Sequence, residues 1–175
     1  MKILDAISQG QIQTLLFALL FMLTITLSSC SLFSSKDSFS CSDLVVTDET
    51  GLVLERLGDP SDQWRIMNSD IEPVTYELEG REYTSELQVD SAYPNPVRNK
   101  NNSRFSYSVP KTLRVFITIS HASSRYNKTL VDDILPEGRH EALISFQDLP
   151  DGCYKVEYFF DESDKVNAFG LIKVE

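Results

Sequence analysis

The chain has 175 residues, three cysteines, one tryptophan and a net charge of −10. A strongly acidic surface repels nucleic acid phosphates, so the composition argues against a protein that binds nucleic acid. The charge is uneven, since Lys36 to Asp90 contains 14 acidic and 4 basic residues while Ser91 to Glu175 contains 11 of each. The first of these two segments therefore carries the whole excess of negative charge.

The beginning of the chain has the pattern of an export signal. A polar stretch with Lys2 and Asp5 is followed by an apolar run from Leu15 to Leu27. This run is shorter than the roughly 20 residues of a membrane-spanning helix and matches the about 7 to 15 residues of a secretory signal. We predict a signal peptide over residues 1–29, which leaves about 146 residues, enough for one domain with a hydrophobic core.

Leu27-Ser28-Ser29-Cys30 follows the apolar run directly. These four residues resemble the lipobox of bacterial lipoproteins, in which an aliphatic residue and two small residues precede a cysteine. The resemblance implies that Cys30 becomes the first residue of the mature chain and carries fatty acyl chains such as palmitate. Two or more acyl chains make membrane attachment stable. The alternative is an ordinary signal peptide with Cys30 an ordinary thiol.

A predicted tether over residues 30–42 comes next, because Ser31 to Ser42 is rich in serine and lacks a repeating apolar pattern. If Cys30 is lipidated, Cys41 and Cys153 remain. In an oxidising compartment these two can form a disulfide, and closing so long a loop stabilises a fold by about 4.7 kcal/mol. The alternative is two unpaired thiols, and the sequence leaves both open.

An acidic, β-rich segment is predicted over residues 43–90. Its strand-like runs, separated by turn residues, are Leu44 to Thr47, Leu52 to Leu57, Val74 to Leu78 and Arg81 to Val89. Glu79-Gly80 predicts a hairpin corner between the last two runs. Trp64 is expected to be largely buried because of its large area.

The rest of the chain, residues 91–175, has the clearest alternation of apolar and polar residues. The alternating runs are Phe105 to Val109, Leu113 to Ile119 and Tyr154 to Phe160. Such alternation places one face of each strand on a core and the other toward water. No long run after residue 30 has helical periodicity, so we predict an all-β protein built as an antiparallel β-sandwich.

Two motifs in this half carry a more specific resemblance. Tyr93-Pro94-Asn95-Pro96 opens it, and Leu149-Pro150-Asp151-Gly152-Cys153-Tyr154 precedes the run that ends at Phe160. In this order they resemble the C-terminal sorting domains of type IX secretion cargo and the related immunoglobulin-like domain of flagellar hook-capping proteins. The resemblance implies an immunoglobulin-like sandwich over residues 91–175. It also implies a sorting motif made of Tyr93, Pro94, Asn95, Pro96, Leu149, Pro150, Gly152 and Tyr154.

No catalytic, cofactor or metal site is predicted. Cys153 lies at a strand start, where an exposed thiolate beside His121 or His140 is not expected. The acidic turns Asp59 to Asp62 and Asp161 to Asp164 lack the six or more ligands of a calcium loop. The sequence contains no phosphate-binding glycine loop, no metal-spaced cluster of cysteine and histidine, and no nucleophile elbow.

The sequence therefore predicts a non-catalytic lipoprotein of the cell envelope, anchored at the outer membrane, that displays a β-sandwich as a binding or structural module. Its expected partners are the membrane, through the lipid anchor, and other envelope proteins. The alternative is a protein resembling type IX secretion cargo, whose C-terminal domain is recognised by the secretion machinery. No nucleic acid partner is expected under either interpretation.

Overall fold

The structure, a computed structural model, describes residues 39–161, 163 and 165–175. The signal peptide predicted over residues 1–29, the lipidation site Cys30 and the tether up to residue 38 lie outside the described residues. These three assignments stay predictions.

Eleven β-strands make up the regular structure of the described residues, which contain no helix. The strands are β1 Leu44–Thr47, β2 Val53–Leu57, β3 Val74–Leu78, β4 Arg81–Ser85, β5 Gln88–Val89, β6 Asn102–Val109, β7 Leu113–His121, β8 Asn127–Leu135, β9 Gly138–Ser145, β10 Gly152–Phe160 and β11 Ala168–Val174. The predicted all-β class is confirmed.

Two antiparallel sheets form the body of the protein. One sheet has four strands in the order β11-β10-β7-β8, and the other has three in the order β5-β6-β9. Their inner faces meet in one hydrophobic core, where the rings of Phe105 on β6 and Tyr158 on β10 make an edge-to-face contact at 5.8 Å between centroids. The predicted antiparallel β-sandwich is confirmed by this arrangement.

Along β7 and β10, the apolar residues that alternate in the sequence are the ones buried in the structure. Every second side chain of β7, from Leu113 to Ile119, is buried, and the same holds on β10 from Tyr154 to Phe160. The side chains between them, such as Arg114, face outward. Since each strand has one apolar face, only one register puts that face on the core.

The acidic segment, residues 43–90, contributes to the same core. Val45, Trp64 and Val89 all belong to the core cluster, with Trp64 only 7% exposed, as its size predicts. Its indole ring fills the space beside Gly170, where an added Cβ would lie 2.1 Å from a ring atom. The segment is therefore built into the sandwich through its strand β1 and the loop that carries Trp64.

The same segment also forms two hairpins, β1–β2 and β3–β4. In the second, Glu79 and Gly80 form the predicted two-residue corner, and both have positive φ, 53° and 74°. Positive φ at both positions is the geometry of a type I′ turn, whose twist matches that of the strands it joins. The β3–β4 hairpin has no further strand beside it among the described residues.

Candidate functional site: the motif end of the sandwich

The candidate site lies where β10 begins and β11 ends, and we call this part of the protein the motif end. Here Cys41 and Cys153 form a disulfide, with an S–S distance of 2.11 Å and a Cα–Cα distance of 5.6 Å. Of the two alternatives that the sequence leaves open, the structure contains the bond. Neither sulfur is a thiol, so the arrangement offers no cysteine nucleophile.

The Tyr93-Pro94-Asn95-Pro96 motif crosses from one sheet to the other. Tyr93 exchanges two backbone hydrogen bonds with Arg104 of β6, each 2.8 Å long. Two residues later Asn95 forms a bridge to Thr47 of β1, and Val97 forms one to Val174 of β11. Both prolines follow cis peptide bonds. The motif thus joins β1 to β11 and ties both to β6, the central strand of the other sheet.

Asn95 is the central residue of this crossing, and it is fully buried. Its Nδ2 donates to the carbonyl oxygens of Val45 and Leu171, both at 2.9 Å, and its Oδ1 accepts from the amide of Lys173 at 3.0 Å. One amide side chain therefore satisfies three main-chain groups from two different strands. The bonds explain why an asparagine stands between the two prolines.

The second motif forms the corner that leads into β10. Tyr154 is buried, and its hydroxyl donates to the carbonyl oxygen of Pro150 at 2.7 Å. Burial, followed by the charges of Tyr126 and Asp151, raises the pKa of Tyr154 to about 12, so the hydroxyl keeps the proton that it donates. A tyrosine that bonds back in this way to the backbone before its strand is called a tyrosine corner.

Gly152 and His121 pack tightly within this corner. Gly152 has φ of 142°, and a Cβ at this position would lie 2.4 Å from His121 Nε2. The His121 ring lies 4.7 Å from the Tyr154 ring, and its Nδ1 accepts the amide of Ser124 at 3.0 Å. Leu149, the first residue of the motif, is partly buried against the core. His121 is thus used in packing and backbone bonding.

The structure brings the two motifs together across β11. Lys173 of β11 pairs with Cys153 of β10 on one side, and on the other side its amide donates to Asn95. The C-terminal residue continues this ladder, because the amide of Glu175 donates to the carbonyl oxygen of Val97 at 2.9 Å. Both motifs can be recognised in the sequence, but no local pattern shows that each of them contacts β11.

The outer surface of the motif end carries ion pairs between exposed side chains. Lys173 Nζ lies 2.7 Å and Arg98 Nε 3.4 Å from the Glu175 carboxylate, while Lys100 Nζ lies 3.6 Å from Asp151. The hydrogen bond from Lys173, then its charge, then Arg98, hold the pKa of Glu175 below its ordinary value. Exposed pairs of this kind contribute little to stability, so this surface is a solvated one.

Within the residues that the structure describes, no three or more His, Cys, Asp or Glu side chains are grouped as metal ligands would be. Nor does any helix among those residues have the length and apolar character needed to cross a membrane. The contacts of the motif end hold the first described residues, the two motifs and the last strand together.

No family model matches the chain, and no curated protein or solved structure has significant similarity to it. The resemblance to sorting domains therefore depends on the sequence patterns of this chain alone.

Proposed function

We propose that the protein is a non-catalytic lipoprotein of the cell envelope, anchored at the outer membrane through Cys30, which displays its β-sandwich as a binding or structural module. The Cys41–Cys153 bond is the observation that carries this proposal. Disulfides persist outside the cytoplasm, in the compartments that an exported chain reaches.

The bond also limits how far the sandwich can move from a lipid anchor. Cys41 lies eleven positions after Cys30, and a fully extended chain of that length spans at most about 40 Å. The disulfide is therefore expected to lie within about 40 Å of the lipidated residue.

We further propose that the sandwich is immunoglobulin-like. Two observations support this assignment: the tyrosine corner of Tyr154 and Pro150, and the arrangement of β5-β6-β9 facing β11-β10-β7-β8. The connections from β6 to β7, from β8 to β9 and from β9 to β10 each cross from one sheet to the other, as in the Greek-key connections of that class.

The two motifs are explained by their use inside the fold. Asn95 and Tyr154 are buried, and Gly152 is required by its φ and by the ring of His121. A sorting receptor reads exposed groups, and these three positions offer it few. The display role is therefore the function that we propose, rather than sorting.

The test is a comparison of Cys30→Ala with the unchanged protein in cells fed a labelled palmitate. We expect the unchanged protein to carry label and to sediment with the outer membrane, and the variant to lose both. Ser35→Ala is the matched control, because it changes a residue of the predicted tether, leaves Cys30 and the disulfide in place, and should keep label and membrane attachment. Label or membrane attachment that persists in Cys30→Ala would contradict the proposal.

A further inference from the structure

The β3–β4 hairpin leaves the sandwich at the end opposite to the disulfide. The chain before it is held at the end of β10, because Asn167 Nδ2 donates to the carbonyl oxygen of Asn68 and Asn167 Oδ1 accepts from the amide of Phe160. The chain after it returns to the end of β6, where Gln88 pairs. β10 has nine residues, so about 26 Å separates this end from the motif end.

Both long edges of the hairpin lack a neighbouring strand among the described residues, and nearly all its side chains are exposed. Leu78 and Arg81 flank the two-residue turn. Hydrogen-bonded and non-hydrogen-bonded pairs alternate along an antiparallel ladder. The amide and carbonyl groups of Thr75 and Glu77 therefore point away from β4, toward the free edge. A free edge of this kind is a template for another strand.

The outer strand β3 presents a different chemistry on each of its faces. One face carries Val74, Tyr76 and Leu78, with the side chains of Tyr76 45% and Leu78 57% exposed. The Tyr76 ring stacks on Tyr83 at 5.8 Å and an interplanar angle of 17°, which extends this apolar face onto β4. The other face carries Thr75 and Glu77.

The hairpin and its flanks are strongly acidic. Residues 72–86 contain five glutamates and a single basic residue, Arg81, for a net charge of −4. Glu77 and Glu82 lie directly opposite each other across the two strands. Like charges in opposed positions destabilise a strand pair, and a cation placed between them relieves the repulsion.

We propose that the β3 edge binds an extended segment of a partner protein by strand addition, and that this segment alternates Lys or Arg with apolar residues. The free amide and carbonyl groups supply the main-chain hydrogen bonds of such a complex. The period of two places every second partner residue over Tyr76 and Leu78 and the others beside Glu77. The inference names the partner of the display role proposed above and in that sense rests on it.

The negative charge of the hairpin favours a basic partner over a second copy of the protein, and the β3 edge over the β4 edge. A second copy of the hairpin would bring two surfaces of net charge −4 together, which is unfavourable. The β4 edge is the weaker choice for a basic strand, because Arg81 stands on its apolar face opposite Leu78. β3 has no basic residue.

The test uses the full-length protein, purified in detergent, and a fluorescent peptide of about ten residues in which Lys alternates with Val. We expect saturable binding by fluorescence anisotropy, weakened by salt because the ion pairs are exposed. A peptide of the same composition with its Lys and Val in two separate blocks should bind much more weakly. Equal binding of the two peptides would overturn the proposal.

Two proline variants test which edge of the hairpin binds the peptide. Thr75→Pro removes an outward-pointing amide from β3, and Thr84→Pro removes the matching amide from β4, since the two threonines face each other. We expect Thr75→Pro to weaken the alternating peptide about tenfold and Thr84→Pro to leave its affinity unchanged. Equal losses, or a loss confined to Thr84→Pro, would refute the assignment to β3.

A charge variant serves as a second test that leaves the backbone intact. Glu77→Lys should weaken the alternating peptide at least about fivefold at low salt, whereas Glu55→Lys, on the separate strand β2, should not. Unchanged affinity in Glu77→Lys, or self-association of the protein without peptide, would overturn the proposed partner. The outcome is independent of Cys30→Ala fractionation, so either proposal can fail alone.

Discussion

Replacing Asn95 by alanine should remove a large part of the free energy of unfolding. The substitution leaves two carbonyl oxygens and one amide, those of Val45, Leu171 and Lys173, without their partner. Each buried group left without a hydrogen bond costs about 1–3 kcal/mol. Since the site is closed to water, the three groups together predict a loss of about 3–9 kcal/mol in Asn95→Ala, comparable to the whole stability of many domains.

Asn95→Asp keeps the size of the side chain and changes only its hydrogen bonds, so it distinguishes these two contributions to stability. A carboxylate can still accept from Lys173, but it turns an oxygen toward the carbonyl oxygens of Val45 and Leu171. The folded protein therefore prefers the protonated carboxyl and raises its pKa above the value in the unfolded chain. Stability is then highest below the unfolded pKa and is lost as pH rises through the folded pKa.

The measurement is urea unfolding followed by the fluorescence of Trp64, the single tryptophan. It is made on both variants at pH 4 and pH 8. Asn102→Ala is the control, because this asparagine is exposed on β6, and its change should stay within about 0.5 kcal/mol. A loss below about 1 kcal/mol in Asn95→Ala, or equal stability of Asn95→Asp at the two pH values, would refute the reasoning.

Two further predictions concern the disulfide and the core. Reducing the Cys41–Cys153 bond, which spans 112 positions, should lower the free energy of unfolding by about 4–5 kcal/mol. Equal urea midpoints with and without reductant would contradict this. Tyr158→Phe should raise stability by about 1 kcal/mol, because the buried Tyr158 hydroxyl has no hydrogen-bond partner among the described residues. Tyr83→Phe, at an exposed site, is its control, and a loss of stability in Tyr158→Phe would show that the hydroxyl is bonded.

The strands with one apolar face could be predicted from the sequence, whereas β8, an edge strand of the four-stranded sheet, could not. β7 and β10 alternate because they pack on the core on one side only. β8 shows no such pattern, since it is the edge of its sheet and even Ile134 is 67% exposed. A register shift near Ile117 further separates its pattern from that of β7. Nothing in the order of its residues marks it as a strand.

For a related reason, the two motifs of the candidate site could be predicted from the sequence but their contacts could not. Proline and glycine indicate turns because of their own backbone preferences, so both motifs could be located in the sequence. The partners of Asn95 lie 50 to 78 positions away in the chain, and no local pattern encodes such contacts. Likewise Val74, Tyr76 and Leu78 alternate as a buried strand does, and only the fold shows that their hairpin stands alone.

The disulfide determines how the protein responds to a pulling force. A pull arriving along the chain from the N-terminal side reaches Cys41 and passes through the sulfur bridge directly into Cys153. That residue belongs to β10, which is hydrogen-bonded to β7 on one side and to β11 on the other. Tension therefore enters at the middle of the four-stranded sheet instead of peeling β1 away.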